Sequence, residues 1–557
     1  MEIITLQVGH YANFIGTHWY NLQEASFLYE PNPEKQREKI LNHDVLFREG
    51  VTLTGQQTYT PRLIAFDLKG SLNTLRQEGV LYDVPSRDEI QWGGDVTLHQ
   101  STQSTKNRFL EELDKIDTDY LEHTGVKKFR IEKQDEKEED MDVDSIHEGE
   151  DNVDRGQVLG PSLYNLDSCV KVWSDYMRVH LHPKSVYTLQ QYDYNSDMQR
   201  FDIFGLGQQV YQEKKTHDDI EDRLHFFAEE CDNLHGFQIL VDYYNGFGGL
   251  GSEMTEMIQD EYSKCVLSFP VSPTTFDTPR TIYYDTCRTV NSILSLVKLA
   301  SHSSLTVPLS LMSDLVKPTA APLSLPHINY KAELPYHSSA VLAAALDTVS
   351  LLYRVDKDPV PIGQICDTLN ARGRKLAALG IALPFPMRDN ASLLKTLTGL
   401  GRNLPWTMLT PQCTSSHGPA QMTTLRGVPP QDGGTGSAML RSYLEDVCPR
   451  QLSGGMVVSE PCKVSSPFPH IFRPDISCAG LLSDRERPMM QGVSSVPAMS
   501  CLSSASDISN MLSSLHGAAK RYNIHKFHKF VEAGLDVDDF KETMDCLETL
   551  ITCYDDN

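Results

Sequence analysis

Glu2–Tyr20 reads EIITLQVGHYANFIGTHWY. Ile3 to Val8 is a short apolar run with a β-branched start, the pattern of a buried strand. Gly9 punctuates it, and His10 to Tyr20 follows as a helix. A strand that ends in glycine and feeds a helix presents free N–H groups and a positive dipole end to an anion. Gly9 would let the backbone approach a phosphate, with His10 and Asn13 in reach of polar ligand atoms. Alone this pattern is weak, because a tight strand-to-helix turn can serve packing only.

A second turn repeats the theme. FQILVD, Phe237 to Asp242, reads as a strand, and Gly246 to Ser252 (GFGGLGS) as a glycine-rich loop opening another helix. Gly248, Gly249, Gly251 and Ser252 would form a nest of N–H groups around phosphate oxygens. No lysine follows the glycines as in a Walker A loop, and the spacing is not GxGxxG. Arg62 to Asp67 (RLIAFD) and Val266 to Phe269 are further strand-like runs, with helical segments at Glu221–Asn233 and Glu253–Tyr262. Strands alternating with helices imply βαβ units and a mainly parallel sheet, with ligands at the carboxyl ends of its strands.

Composition narrows the partners. The 557-residue chain is long enough for about three domains. Its formal charge of -25 disfavours nucleic acid and simple adsorption to anionic lipid. The twelve cysteines show no CxxC and no zinc-type cluster, so reduced thiols in a cytosolic compartment are expected. The opening MEIITLQVGH lacks the basic and apolar regions of a signal peptide. The best membrane-span candidate, Ala340 to Leu352, is too short and carries Asp347. Any membrane association is therefore expected to be peripheral or through a partner.

Five parts are expected along the chain. Residues 1–110 with 158–336 form a nucleotide-binding-type domain. Residues 111–157 form an acidic disordered insertion, in which Ile131–Asp154 carries twelve acidic side chains against two lysines. Residues 337–354 (HSSAVLAAALDTVSLLYR) are apolar nearly all round and read as a buried central helix. Residues 355–505 form a second α/β domain, rich in Pro, Gly and Ser from Thr410 to Ser504. Residues 506–557 end in helices, with Phe540, Met544, Leu547, Leu550, Ile551 and Tyr554 on one stripe.

These residues carry a resemblance to the tubulin superfamily. The opening strand and helix are similar to the tubulin opening, and CDNLHGFQIL with GFGGLGSEM resembles its glycine signature. DLKGSLNTLR, from Asp67 through Gly70, resembles the loop at the terminal phosphates and magnesium. LNARGRKLA with LPFP resembles the start of the intermediate domain, and AGLDVDDFKETMDCLETL the C-terminal helices. Within the superfamily, VWSDYMRVHLHPKS, EDRLHFFAEECDNLHGFQIL and HSSLTVPLSL identify the chain as a member of the Misato family.

The resemblance implies a tubulin-like fold with GTP or GDP as the candidate ligand and no other cofactor. It implies a role in mitochondrial distribution, morphology and fusion, in cytoplasm and at the outer mitochondrial membrane. The partners implied are proteins at the mitochondrial surface, and tubulin with its chaperonin. The nucleotide site it implies, vestigial or weakened, comprises Gly9, His10, Asn13, Asp67, Gly70, Gly248, Gly249, Gly251 and Ser252.

The departures from tubulin fall on the chemistry. Lys69 stands where tubulins place an acid, and an ammonium cannot ligate magnesium. Leu250 replaces a hydroxyl residue and Glu253 a glycine. The intermediate-domain loop, Asn370 to Lys375, offers no carboxylate to orient water. No catalytic or metal-binding residue is therefore expected, and the chain is read as a non-enzymatic, non-polymerising regulator. The rival readings are a working, assembling GTPase and a factor in tubulin folding or microtubule organisation. His180 and His182 in VHLHP read as ordinary histidines rather than metal ligands, and Trp173 and Tyr176 as packing residues.

Overall fold

In this computed structural model the described residues are 1–27, 39–51, 57–75, 105–123, 164–196, 199–278, 281–317, 320–370, 373–389, 391–428, 433–488 and 491–554. The acidic run Ile131–Asp154 lies outside them.

The first domain contains β1 (Glu2–Val8), α1 (His10–Glu24), a hairpin of β2 (Phe47–Val51) and β3 (Gln57–Pro61), and β4 (Leu63–Lys69). It continues through α2 (Arg108–His123), β5 (Val186–Asp193), α3 (Phe204–Gln212), α4 (Lys214–Glu229), β6 (Leu234–Asp242) and α5 (Gly246–Tyr262). It ends with β7 (Cys265–Ser272), α6 (Ile282–His302), β8 (Leu305–Thr306) and β9 (Leu309–Ser310). The main sheet has the order β5-β4-β1-β6-β7-β8, with β9 also paired to β7. All its pairings are parallel.

A parallel sheet is covered on both faces, so its strands read as continuous apolar runs. Ile4, Leu6 and Val8 of β1 pack with Leu250, Met254 and Ile258 of α5 on one face. The opposite face carries Thr5 and Gln238, which meet Tyr20 of α1 and Tyr353 of the central helix α7 (Pro335–Arg354) in a buried chain of hydrogen bonds at 2.7 and 2.8 Å. Every residue of α7 from Tyr336 to Arg354 is buried, as a helix apolar all round requires.

The second domain contains α8 (Ile362–Leu369), β10 (Ala378–Ala382), α9 (Leu393–Leu400), β11 (Thr407–Met408), β12 (Ala420–Arg426), α10 (Gly433–Val447) and β13 (Leu452–Val458). The small pair β14 (Cys462–Lys463) and β15 (Ser495–Val496), and then β16 (Ala498–Ser503), complete it. Its mixed sheet runs β11-β10-β16-β12-β13. Helices α11 (Ile508–Ala519), α12 (His528–Glu532) and α13 (Val537–Thr552) close the chain. Phe540, Leu547 and Tyr554 of the expected stripe are buried, and Met544, Leu550 and Ile551 pack against the same core.

Three expectations need correction. The start of the presumed disordered insertion is helical, because α2 runs to His123 and anchors Phe109 and Leu110 in the core. The glycine-rich stretch is not a loop: α5 begins at Gly246 and includes every glycine of the signature. The stretch from Thr410 to Ser504 holds more regular structure than its composition suggests, including the seven-residue strands β12 and β13 and the fifteen-residue α10.

A buried charge cluster ties the central helix to the second domain. Asp347 of α7 takes Arg354 at 2.6 Å and also pairs with Arg426 of β12, and all three side chains are 2 or 3 % exposed. The two guanidinium groups also reach carbonyls at Asp347, Glu460 and Pro461, which satisfies donors that would otherwise be costly to bury.

Candidate functional site

Strand register assembles the site. Val8 of β1 pairs with Phe66 of β4 on one side and Val241 of β6 on the other. The next residues, Gly9, Asp67 and Asp242, therefore meet at the carboxyl end of the sheet, where α1 begins. Gly9 has φ +121, and a Cβ there would lie 2.5 Å from the Asp242 carboxyl carbon. Only glycine fits that position.

Asp242 occupies the place where an anion would bind. Its carboxylate accepts the Tyr11 amide at 3.0 Å and the Ala12 amide at 2.8 Å, both in the first turn of α1. The residue is fully buried. Burial pushes its carboxyl up to about 7, against the pull of the two amides and of His10, while Asp67 adds to the rise.

Asp67 is also fully buried and is surrounded by donors from the chain itself. Oδ2 meets His10 Nδ1 at 2.9 Å, Trp173 Nε1 at 2.7 Å and Asn13 Nδ2 at 3.3 Å, and Oδ1 accepts the Leu68 amide at 2.8 Å. Burial opposes the charged form of His10, but Asp67, then Asp242 and Asp277, outweigh it and raise the imidazole above its ordinary value. The ring lies 4.3 Å from that of Tyr194. His10 Nε2 and Asn13 Oδ1 are buried and have no hydrogen-bond partner among the described residues. Lys69 ends β4 and Gly70 opens the turn after it, both exposed, Gly70 with φ +85.

The glycines of α5 make room for helices rather than for phosphate. A Cβ on Gly249 would come within 1.9 Å of the Phe204 carbonyl oxygen of α3, and one on Gly207 of α3 within 1.9 Å of the Gly246 carbonyl oxygen. Gly248 faces Ser295 of α6, and Gly251 faces Val241 of β6. Ser252 is buried and bonds back to the Gly248 carbonyl at 2.7 Å. The first amides of α5 are also taken. Gly246 N donates to Phe201 O, Phe247 N to the Asn245 side chain, and Gly248 N to Asn245 O. Leu250 is core, and Glu253 accepts Gln208 Nε2 of α3 at 2.6 Å.

A magnesium nucleotide bound in the manner of tubulin needs free amides at the starts of both helices and an oxygen ligand for the metal. The amides named above already donate to the chain, and the Asp67 oxygens are taken by its own donors. Two buried carboxylates would also face the phosphates. The residues present do not fit that group. Asp242 is the site residue that sequence reading missed; the available signal was an acid ending FQILVD just before the glycines.

The other singled-out residues have local partners. Trp173 is more than packing, since its indole holds Asp67. Tyr176 donates to the Phe14 carbonyl at 2.8 Å. His182 stacks on Phe226 at 4.7 Å and accepts the Lys184 amide, and burial, with Arg48, Lys184 and Arg223 nearby, lowers it to about 4. In the Asn370–Lys375 loop, Arg374 is 1 % exposed and donates to the carbonyls of Cys553 and Ser504. Tyr554 Oη meets both the amide and the carbonyl of Leu376 at 2.7 Å. The C-terminal segment thus lies against this loop.

Comparison with known proteins agrees with this architecture. Residues 1–115 match the Misato Segment II tubulin-like domain, and residues 163–355 match the Tubulin domain. The chain is 37% identical to protein misato homolog 1 of Bos taurus over 580 residues, spanning 100% of this chain and 98% of that protein. It is 36% identical to protein misato homolog 1 of Homo sapiens, over 99% of this chain and 98% of that one. Against protein misato of Drosophila melanogaster the identity is 29%, over 100% and 99% of the two chains.

Proposed function

The chain belongs to the Misato family of tubulin-like proteins, and on that premise we propose that it is a non-catalytic regulator of mitochondrial distribution, morphology and fusion. It acts through protein partners at the mitochondrial surface, with tubulin and its chaperonin among the candidates, and works from the cytoplasm with peripheral contact to the outer membrane. The mitochondrial role rests on the family resemblance. No helix of the described residues is long and apolar enough to cross a membrane, which is compatible with peripheral contact.

The non-catalytic half of the reading rests on one observation, the Asp242 carboxylate on the Tyr11 and Ala12 amides. A tethered carboxylate at that distance competes at very high effective concentration with any phosphate in solution. The Asn370–Lys375 loop supports the same reading. It carries no acid to position water, and Arg374 and Leu376 beside it are engaged by Ser504, Cys553 and Tyr554. A scaffold that offers its surface to partners needs neither site.

Acute depletion followed by imaging tests the cellular role. The mitochondrial network should change first, and re-expressed protein carrying Lys69→Ala should restore it as well as wild type. Microtubule defects that precede any mitochondrial change would instead favour a factor in tubulin folding or microtubule organisation.

A further inference from the structure

All twelve cysteines are free thiols, and two of them are paired in space. Cys265 opens β7 and Cys366 lies on α8, 101 residues later, yet their Sγ atoms are 3.4 Å apart. No other pair of sulfurs comes within hydrogen-bonding distance among the described residues. The two sites differ in access. Cys366 is buried, whereas Cys265 is part-exposed at the start of its strand. They also differ chemically. Hydrogen bonds from Cys366 and then Ser304 hold the Cys265 thiol below its ordinary range despite burial, while the same pairing and deeper burial hold Cys366 well above it. One sulfur is thus poised as a reachable nucleophile, with a second directly behind it, the arrangement of a redox-active pair.

We propose that Cys265 and Cys366 form a reversible disulfide when the protein meets a small hydroperoxide. The Cys265 thiolate attacks one peroxide oxygen, the O–O bond breaks, and hydroxide leaves as Cys265 becomes a sulfenic acid. The Cys366 sulfur then attacks the Cys265 sulfur. The S–O bond breaks, and the departing hydroxyl takes the Cys366 proton as water. The two thiols lose two electrons, which the peroxide accepts. Closing the bond requires the sulfurs to approach from 3.4 Å to about 2 Å.

The link would join the first domain's sheet to α8, the first helix of the second domain. α8 follows α7, and Asn370 at its end donates to the Ser304 carbonyl beside Cys265. Oxidation would therefore fix the junction that carries the chain from the central helix to β10.

The test uses the full-length protein. It is exposed to graded hydrogen peroxide, alkylated to cap the remaining thiols, digested and mapped by mass. The expected result is loss of two alkylatable thiols and one linked peptide joining Cys265 to Cys366. That peptide should appear at lower peroxide than oxidation of the exposed Cys169, Cys478 and Cys546, and should vanish with dithiothreitol. In Cys366→Ser, Cys265 should instead be trapped as a sulfenic acid by a dimedone probe. If Cys265 and Cys366 in the wild type stay alkylated after the exposed cysteines are oxidised, or Cys265 passes to sulfinic acid without the link, the proposal is overturned. The wild-type mapping does not depend on whether the variant folds.

Discussion

The Asp242 carboxylate lies 2.8 Å from the Ala12 amide, across 230 residues of sequence. It does for the start of α1 what a bound phosphate would do: it meets unpaired N–H groups and the positive end of the dipole. The fold retains the geometry of an anion site and supplies the anion from its own chain.

That arrangement makes stability depend on pH. Asp242 in the unfolded chain titrates near 4, and in the folded protein near 7. Between those values the folded state binds more protons, so stability falls as pH rises, and above about 7 it levels off. His10, raised above its ordinary value, acts in the same sense: its contribution is full below the unfolded value and is lost as pH rises through the folded one. Asp242→Asn removes the titration. Urea unfolding of both proteins from pH 5 to 8 should show the wild type losing stability relative to the variant, by at most roughly 3 kcal/mol.

Gly9→Ala tests the close approach behind the site. The new methyl would meet Asp242 at 2.5 Å on a backbone with φ +121. Strain and overpacking together should destabilise the protein by about 3 kcal/mol or more. Thermal melting should show a clear fall in midpoint, whereas Gly517→Ala on α11, where nothing lies within 4 Å of the added atom, should hold or raise it.

The buried cluster at Asp347 should matter far more than surface ion pairs. Asp347→Ala leaves Arg354 and Arg426 buried without a counter-charge and should cost about 3–5 kcal/mol. Asp538→Ala breaks the exposed pair with Lys541 and should cost under about 1 kcal/mol. Urea midpoints of the two variants give the comparison directly.

Tyr554→Phe should loosen the C-terminal seal. It removes a hydroxyl that serves both the amide and the carbonyl of Leu376, a loss of about 1–3 kcal/mol for buried groups left unpaired. Limited trypsin digestion should then cut after Arg374 or Lys375 earlier than in the wild type.

Much of this was legible in the sequence, because β1, β4 and β6 are continuous apolar runs and α7 is apolar all round. What was hidden depends on non-local contacts. Nothing local assigns Asp242 to the α1 terminus; the parallel register that sets Val8 beside Val241 does. Glycine disfavours helix, so GFGGLGS read as a loop. Packing of Gly246 and Gly249 against α3 reverses that preference. Likewise β12 becomes a strand by pairing with β16, more than seventy residues away, through a stretch whose Pro, Gly and Ser content conceals it.

The central claim, that Asp242 closes the tubulin-like slot to nucleotide, is tested most directly by calorimetric titration of GTP with magnesium into the purified full-length protein, alongside Asp242→Ala. The account predicts no detectable binding to the wild type and, because the first α5 amides and the Asp67 oxygens stay engaged by the chain, at most weak binding once the Tyr11 and Ala12 amides are freed. Stoichiometric GTP binding by the wild type would contradict it.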